Sequence, residues 1–438
     1  MLGLDPLEMS VIHAKIKTIF SQSASLLPAP KLQAFVRHHF ERRQYYLDAL
    51  ETHPAPVYLF EPEILKARAG QLQQAFSRHL SALSFFYAVK SNNLPMVART
   101  LLDEGFGLDV SSGLELETAL ELGAGEIVFS GPGKTHAELE TAVANDQWVT
   151  VLLDSPGELH RLEAVAAGHG KIMRCGVRLT VDTMGLWRKF GIIPETLPAF
   201  WEAAGRCPHI HLSGLQFHSS WNLTPRTQIT FIRNLAEILK QMPRAFHEQL
   251  DFIDIGGGYW PSQGEWLQPT ATEHGRLCVC LGHAPGSFHD HYYAPATPID
   301  DFAAQLCSAI EQYLFPIIAC RICLEPGRWL CNDAMHLLIT VVDKKEDNLV
   351  ITDAGTNSIG WERFESDYFP ILNLTRPGLD EKPCHILGSL CTPHDVWGYM
   401  YFGDCIDVGD ILLIPTQGAY TYSLRQNFIK PLPDVVVL

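Results

Sequence analysis

The chain has 438 residues, of which 47% are hydrophobic and 19% charged, and its formal net charge is -16. This length predicts two or three domains, with apolar side chains enough for a large core. The acidic balance, with 33 Lys and Arg that form no basic run, argues against nucleic acid and against anionic membrane surfaces as partners.

No uninterrupted apolar segment reaches the roughly 18 to 20 residues that span a bilayer, and the apolar stretch before Glu325 is broken by Arg321. The first residues include Asp5 and Glu8 and lack the basic, apolar, small-residue order of a signal peptide. The 11 cysteines are scattered without a framework. Together these features predict a cytoplasmic chain with reduced thiols and no membrane contact.

Residues 1–53 read as a helical leader, broken at Pro28 and Pro30. A short strand is expected at Val57 to Phe60, and helix signals run from Glu61 to His79. A regular alternation then begins. Apolar strand-like runs fall near 84–89, 107–110, 126–130, 149–153, 172–179, 211–217, 251–255 and 318–324, with helix-patterned stretches such as Leu114 to Leu122 between them. Eight βα units in about 250 residues predict a (β/α)8 TIM barrel. A doubly wound open sheet is the competing reading. Between Tyr259 and Thr297 the pattern lapses into a segment rich in Pro, Gly and His, of the kind usually functional or mobile. Beyond Glu325 short strands predict a separate β domain. The expected division is a leader over 1–53, a barrel over 54–329 and a C-terminal β domain over 330–438.

Polar residues cluster at the C-terminal ends of the expected strands, where a barrel carries its chemistry. Lys90 ends the first. There a lysine can be partly desolvated and form a Schiff base, although a strand-terminal lysine is on its own more often a surface residue. His218 ends the sixth strand and could stack on a ring or simply be hydrogen-bonded. Gly256, Gly257 and Gly258 follow the seventh, and their N–H groups could close around a phosphate or form a plain tight turn. Glu325-Pro326-Gly327-Arg328 follows the eighth. Its carboxylate could meet a pyridinium nitrogen and its arginine a phosphate, or the two could be an ordinary rim ion pair.

The order Lys, His, Gly-Gly-Gly, Glu-Pro-Gly-Arg on strands one, six, seven and eight resembles the fold-type III pyridoxal-phosphate decarboxylases, the family of diaminopimelate, ornithine and arginine decarboxylases. Asp109-Val110-Ser111-Ser112-Gly113, Lys189-Phe190-Gly191, Asp353-Ala354-Gly355, Cys391 with Asp395, and Gly418-Ala419-Tyr420 fit the same pattern, which runs from about Pro54 to the last residue. The resemblance implies an α/β fold with an alanine-racemase-like barrel and a decarboxylase-type β domain. It implies pyridoxal 5'-phosphate as cofactor, an amino-acid-like substrate, and a homodimer with shared active sites. Lys90 would be the Schiff-base lysine, His218 would stack on the pyridine ring, and Glu325 would keep the ring nitrogen protonated. Asp109, the glycine triplet, Gly327, Arg328 and Tyr420 would complete the cofactor site. Cys391, from the partner subunit, would return a proton to the α-carbon. Arg328, Thr392, Asp395 and Tyr420 would face the substrate.

The substrate positions depart from the family. Thr392 stands where diaminopimelate decarboxylases carry an acid that binds the far end of the substrate, and where ornithine decarboxylases use an Asp in a similar way. Trp361 and Glu365 stand where the former carry an Arg and a Tyr, and the usual His-x-Gly-Ser is His218-Ser219-Ser220-Trp221. Glu362 or Glu365 could replace the lost acid, and Arg363 or His394 could bind an anion. A plain diamino acid is therefore not the expected substrate. A racemase on the same barrel and a non-catalytic relative that binds a partner protein are the competing functions. His274, Cys278, Cys280 and His283 match no closed-site zinc spacing, and no metal is expected.

Overall fold

A computed structural model describes residues 6–21, 25–287, 289–360 and 366–438. Trp361, Glu362, Arg363 and Glu365 lie outside the described residues. A strand, β1 (Val57–Phe60), precedes the barrel. The barrel strands are β2 (Leu83–Ala88), β3 (Gly107–Val110), β4 (Ile127–Phe129), β5 (Val149–Leu153), β6 (Met173–Leu179), β7 (Ile210–Phe217) and β8 (Phe252–Asp254). A small antiparallel pair, β9 (Glu265–Leu267) and β10 (Tyr292–Ala294), is followed by the last barrel strand, β11 (Arg321–Leu324). The eight barrel strands are all parallel and close in the order β11-β2-β3-β4-β5-β6-β7-β8.

The two-residue period of a strand determines what fills this ring. The register places Phe86, Gly107, Val128, Leu152, Gly176, Gly214, Phe252 and Cys323 on the inward parity. Five of these, Phe86, Val128, Leu152, Phe252 and Cys323, form a closed apolar cluster. The glycines make room for it: a Cβ on Gly214 would sit 2.0 Å from the Phe252 ring. Two residues further along each strand, the same parity brings Ala88, Asp109, Ser130, Asp154, Arg178, Gln216, Asp254 and Glu325 to the C-terminal mouth. A dry plug thus lies beneath a polar layer.

The second sheet has the order β13-β15-β16-β14-β17-β12-β1-β18, with β12 (Met335–Glu346), β13 (Leu349–Thr352), β14 (Leu372–Asn373), β15 (Glu381–Leu387), β16 (Val396–Phe402), β17 (Ile411–Ile414) and β18 (Asp434–Val437). Here the expected boundary at Pro54 needs correction. β1 pairs antiparallel with β12 and parallel with β18, so it belongs to the β domain and not to the barrel. All four of its residues are buried, which a sheet covered on both faces explains. Glu61, just after it, accepts from Arg42 of the leader and lies 2.9 Å from His336 Nε2 on β12. That carboxylate ties leader, β1 and β12 together as the chain passes into the first barrel helix, Pro62–Ser77.

The leader helix Ala29–Glu41 packs on the sheet. Its Leu32 and Val36 share a core with Leu338, Leu372, Leu413 and Val436. The 259–297 segment, which has no period in the sequence, contains β9, β10 and a helix over Glu273–Cys280. Its strands of three residues are too short to show a period. It bridges the leader, through Leu26 and Tyr292, and the β domain, through Leu267 and Asp367.

Val36 is fully buried in the leader–sheet core. Val36→Ala is expected to cost ~1–3 kcal/mol of stability through the cavity it leaves, read as a lower denaturation midpoint. An unchanged midpoint would mean that the leader does not share the fold's cooperative unit.

Candidate active site

The mouth of the barrel opens into a cavity of 370 Å³ walled by Lys90, His218, Glu325, Arg328, Tyr420 and Trp260. Lys90 sits in a single helical turn, Val89–Ser91, at the end of β2. Its Nζ donates to Asp109 Oδ2 at 2.8 Å, and Ser130 Oγ donates to Asp109 Oδ1 at 2.5 Å. Burial works against the lysine's charge, but the carboxylates of Asp109 and Glu325 outweigh it and raise the Lys90 pKa. Burial and the nearby charge of Glu325 push the Asp109 carboxyl upward. With a donor at each oxygen, Asp109 is nevertheless the anion of this pair.

Glu325 is 2% exposed and follows β11. Burial would raise its pKa, but the His218 imidazole beside it and the charge of Lys90 hold it down to about 2. Gln216 Nε2 donates to its two oxygens at 3.2 and 3.3 Å. His218 Nδ1 lies 3.5 Å from Glu325 Oε2 and accepts from the Gly257 N–H at 3.2 Å. Burial lowers the His218 pKa and Glu325 only partly opposes it, so the imidazole is neutral near pH 7. Asp254, beside Gln216 in the register, behaves in the opposite way to Glu325. Burial and the charge of Glu325 raise its pKa well above the ordinary range, and its Oδ2 has no hydrogen-bond partner. One buried acid is therefore ionised and its neighbour neutral.

The glycine triplet differs from expectation. The Gly256 N–H donates to Asp254 Oδ1 at 2.8 Å and the Gly257 N–H to His218, so two of the three donors are used inside the protein. Only the Gly258 N–H, in a turn with φ of +80°, is left for an anion among the described residues. Glycine is required at 257 by contact, since a Cβ there would lie 2.0 Å from the Glu325 carbonyl oxygen. Gly327 lets the Glu325–Arg328 turn pass the Ser91 side chain, 2.9 Å from where a Cβ would stand. The Arg328 guanidinium lies 4.4 Å from the Trp260 ring centroid and 5.0 Å from that of Tyr420. The Tyr420 N–H donates to the Ser91 carbonyl at 2.7 Å, which fixes the tyrosine at the Lys90 turn.

This donor set fits pyridoxal phosphate. It offers an amine on one wall, an ionised carboxylate for a ring nitrogen, a neutral imidazole, and a free N–H with an arginine and a tyrosine for a phosphate. Residues 65–332 match the family model described as "Pyridoxal-dependent decarboxylase, pyridoxal binding domain".

The chain belongs to this family. It is a pyridoxal-phosphate-dependent decarboxylase of the diaminopimelate/ornithine type. It is 27% identical over 421 residues to diaminopimelate decarboxylase of Methanothermobacter thermautotrophicus, covering 90% of this chain and 88% of that one. It is 24% identical over 422 residues to the 2-[(L-alanin-3-ylcarbamoyl)methyl]-2-hydroxybutanedioate decarboxylase of Staphylococcus aureus, covering 89% and 95%. The crystal structure of diaminopimelate decarboxylase from Helicobacter pylori complexed with L-lysine superposes with a TM-score of 0.73 at 23% identity, over 90% of this chain and 94% of that one.

The remaining expected site residues of the decarboxylase lie elsewhere. Cys391 and Thr392 are on a turn of the β domain, the former exposed and the latter half-buried, and neither walls the cavity around Lys90. Asp395 was expected to touch substrate. Instead it is buried, with Oδ1 accepting from the Thr356 N–H and hydroxyl at 2.7 and 2.9 Å and Oδ2 from the Leu390 N–H at 2.7 Å. Both oxygens are spent bracing the turn that presents Cys391. His274 and Cys278 lie 3.9 Å apart, and no group of three possible metal ligands forms among the described residues. Ser130, Arg178, Gln216, Asp254, Trp260 and Asp367 were not singled out from the sequence. The first four follow from the inward parity of the strands, whereas nothing in the spacing marks the last two.

Asp109→Asn removes the nearest charge that raises the Lys90 pKa. In cofactor-free protein, the pH midpoint for labelling Lys90 with an amine-reactive reagent should move to lower pH. An unchanged or higher midpoint would show that Asp109 does not set the charge of the lysine.

Proposed function

We propose that the enzyme removes the α-carboxyl group of an amino acid whose far end is conjugated, through an amide or similar linkage, rather than of a free diamino acid. The observation that carries this reading is Thr392. It stands where the family places an acid for a distal ammonium, and its hydroxyl, which accepts from the His394 N–H at 3.5 Å, supplies no charge. An ammonium left without its carboxylate in a closed site is costly. The Staphylococcus aureus relative, whose name describes an amino acid joined through an amide to a hydroxybutanedioate, lends further support.

Lys90, His218, Glu325, Gly258, Arg328 and Tyr420 would hold the cofactor. Bound there, it supplies a sink for the electron pair released when carbon dioxide departs. Glu325, whose carboxyl is held ionised near pH 7, would keep a proton at the ring nitrogen. Gln216 keeps that carboxylate oriented, and neutral Asp254 adds no second charge beside it. Lys90 would hold the cofactor through its amine. We further propose that the working unit is a homodimer, in which Cys391 of one copy delivers a proton to the α-carbon in the other copy's cavity. The exposed position of Cys391, away from the cavity of its own chain, supports this.

Two experiments test the reading. Wild-type enzyme should turn over free lysine, ornithine and diaminopimelate poorly and their distally acylated analogues well. Thr392→Glu should move the ratio of kcat/KM toward the free diamino acids by about tenfold for each 1.4 kcal/mol recovered. Wild-type turnover of free diaminopimelate at about 10^4 M⁻¹s⁻¹ or more would overturn the substrate assignment. Separately, Lys90→Ala and Cys391→Ala proteins should each be inactive. Mixed and exchanged, they should recover about a quarter of wild-type activity, because half the dimers then hold one complete site. No recovery would overturn the shared site.

A further inference from the structure

Three cavities adjoin one another through shared lining residues. The catalytic cavity shares Trp260 and Arg328 with a narrow neck of 90 Å³, and the neck shares Trp266 and Thr416 with an outer chamber of 420 Å³. The leader helix forms one wall of that chamber, and the barrel helix Pro62–Ser77 contributes another. Its charge runs against that of the protein. In a chain of net charge -16, the chamber is lined by Lys31, Arg42 and Arg68 and by a single carboxylate, Asp333. Arg42 is answered by Glu61 behind it and Arg68 by Asp333, but among the described residues Lys31 Nζ has only the Tyr293 hydroxyl, at 2.9 Å, with its charge 4.2 Å from that ring's centroid. The surplus positive charge is therefore that of Lys31. The two guanidinium groups add further N–H donors, since each carries five and neither carboxylate engages them all.

The neck is of mixed charge. Glu265 and Asp367 wall it together with Arg328, and Glu265 Oε1 accepts from the Trp221 indole at 3.1 Å. With two carboxylates to one guanidinium, it suits a neutral linker whose amide N–H or hydroxyl finds acceptors better than a further anion. Read from the lysine outward, the three spaces suit an α-amino acid head, a neutral linker with hydrogen-bond donors, and an anion at the far end.

We propose that the outer chamber is a binding subsite for the anionic, carboxylate-bearing terminus of the substrate, held by Lys31 with Arg42 and Arg68. This rests on the reading of the enzyme as a decarboxylase of conjugated amino acids and specifies the class of conjugate. The chamber gives the leader, which lies outside the residues matched to the family model, a part in substrate choice.

The test is a ladder of paired substrates, Nω-succinyl and Nω-acetyl derivatives of 2,3-diaminopropionate, ornithine and lysine, assayed for carbon dioxide release by the holoenzyme. The pairs differ in terminal charge, and the ladder varies the reach. Wild-type enzyme should prefer the succinyl member by about tenfold or more in kcat/KM at one or more lengths. Lys31→Ala should abolish most of that preference by raising KM for the succinyl substrate alone, and Lys31→Arg should restore it. Equal handling of both members at every length, with no effect of Lys31→Ala, would overturn the subsite while leaving the conjugate reading standing. So would a Lys31→Ala loss that falls equally on both members, since that marks a structural role for the leader. Turnover of the free diamino acids with neither conjugate accepted would overturn both readings.

Discussion

Eight parallel strands closed into a ring leave room inside for alternate side chains only, and this constraint arranges almost everything else in the molecule. At the lower level the room is taken by Phe86, Val128, Leu152, Phe252 and Cys323, and three inward glycines yield to the larger rings. Two residues later the same positions reach the mouth, where Asp109, Ser130, Arg178, Gln216, Asp254 and Glu325 stand on that apolar floor. The plug below is what makes the charges above effective, because a low-dielectric floor leaves each of them to be answered by its neighbours.

The mouth solves a crowding problem. Asp109, Asp254 and Glu325 are all buried, with Lys90 and Arg178 as the cations among them. Three ionised carboxylates so close would repel one another strongly. The protein separates their roles by environment. Asp109 has Lys90 and Ser130, Glu325 has the Gln216 amide at both oxygens, and Asp254 has one backbone N–H and an unsatisfied oxygen. The acid with the fewest donors stays protonated. The acid that faces the cavity keeps its charge, which is what a pyridinium partner requires.

Much of this was legible in the sequence. The eight strands lie close to where the apolar runs ended, because buried parallel strands need near-continuous apolar residues. Lys90, His218, Glu325 and Arg328 converge on one cavity because barrel chemistry collects at strand ends, and Tyr420 of the β domain joins them at the Lys90 turn. The rest was hidden for physical reasons. β1 looks like a barrel strand in isolation, since nothing local says which sheet a four-residue apolar run will join. Asp395 sits in the family motif beside Cys391, but whether a carboxylate faces substrate or backbone depends on turn geometry that the motif does not encode. The glycine triplet marked a close approach correctly. How many of its N–H groups remained free depended on Asp254 and His218, which the spacing does not connect to it. Trp260 and Asp367 reach the cavity from segments without a period.

β1 lies between β12 and β18, so a strand made early in synthesis has one of its two neighbours at residues 434–437, nearly the whole chain later. Every strand of the barrel between them can emerge from the ribosome and close before β1 is paired on both sides. Until then β1 carries an open edge, flanked by a leader helix whose apolar face waits for the same sheet. The order of assembly is therefore inverted with respect to the order of translation: the segment that begins the fold is among the last to be secured. That is the slow, long-range kind of closure that leaves a nascent chain dependent on keeping its edges from other partners.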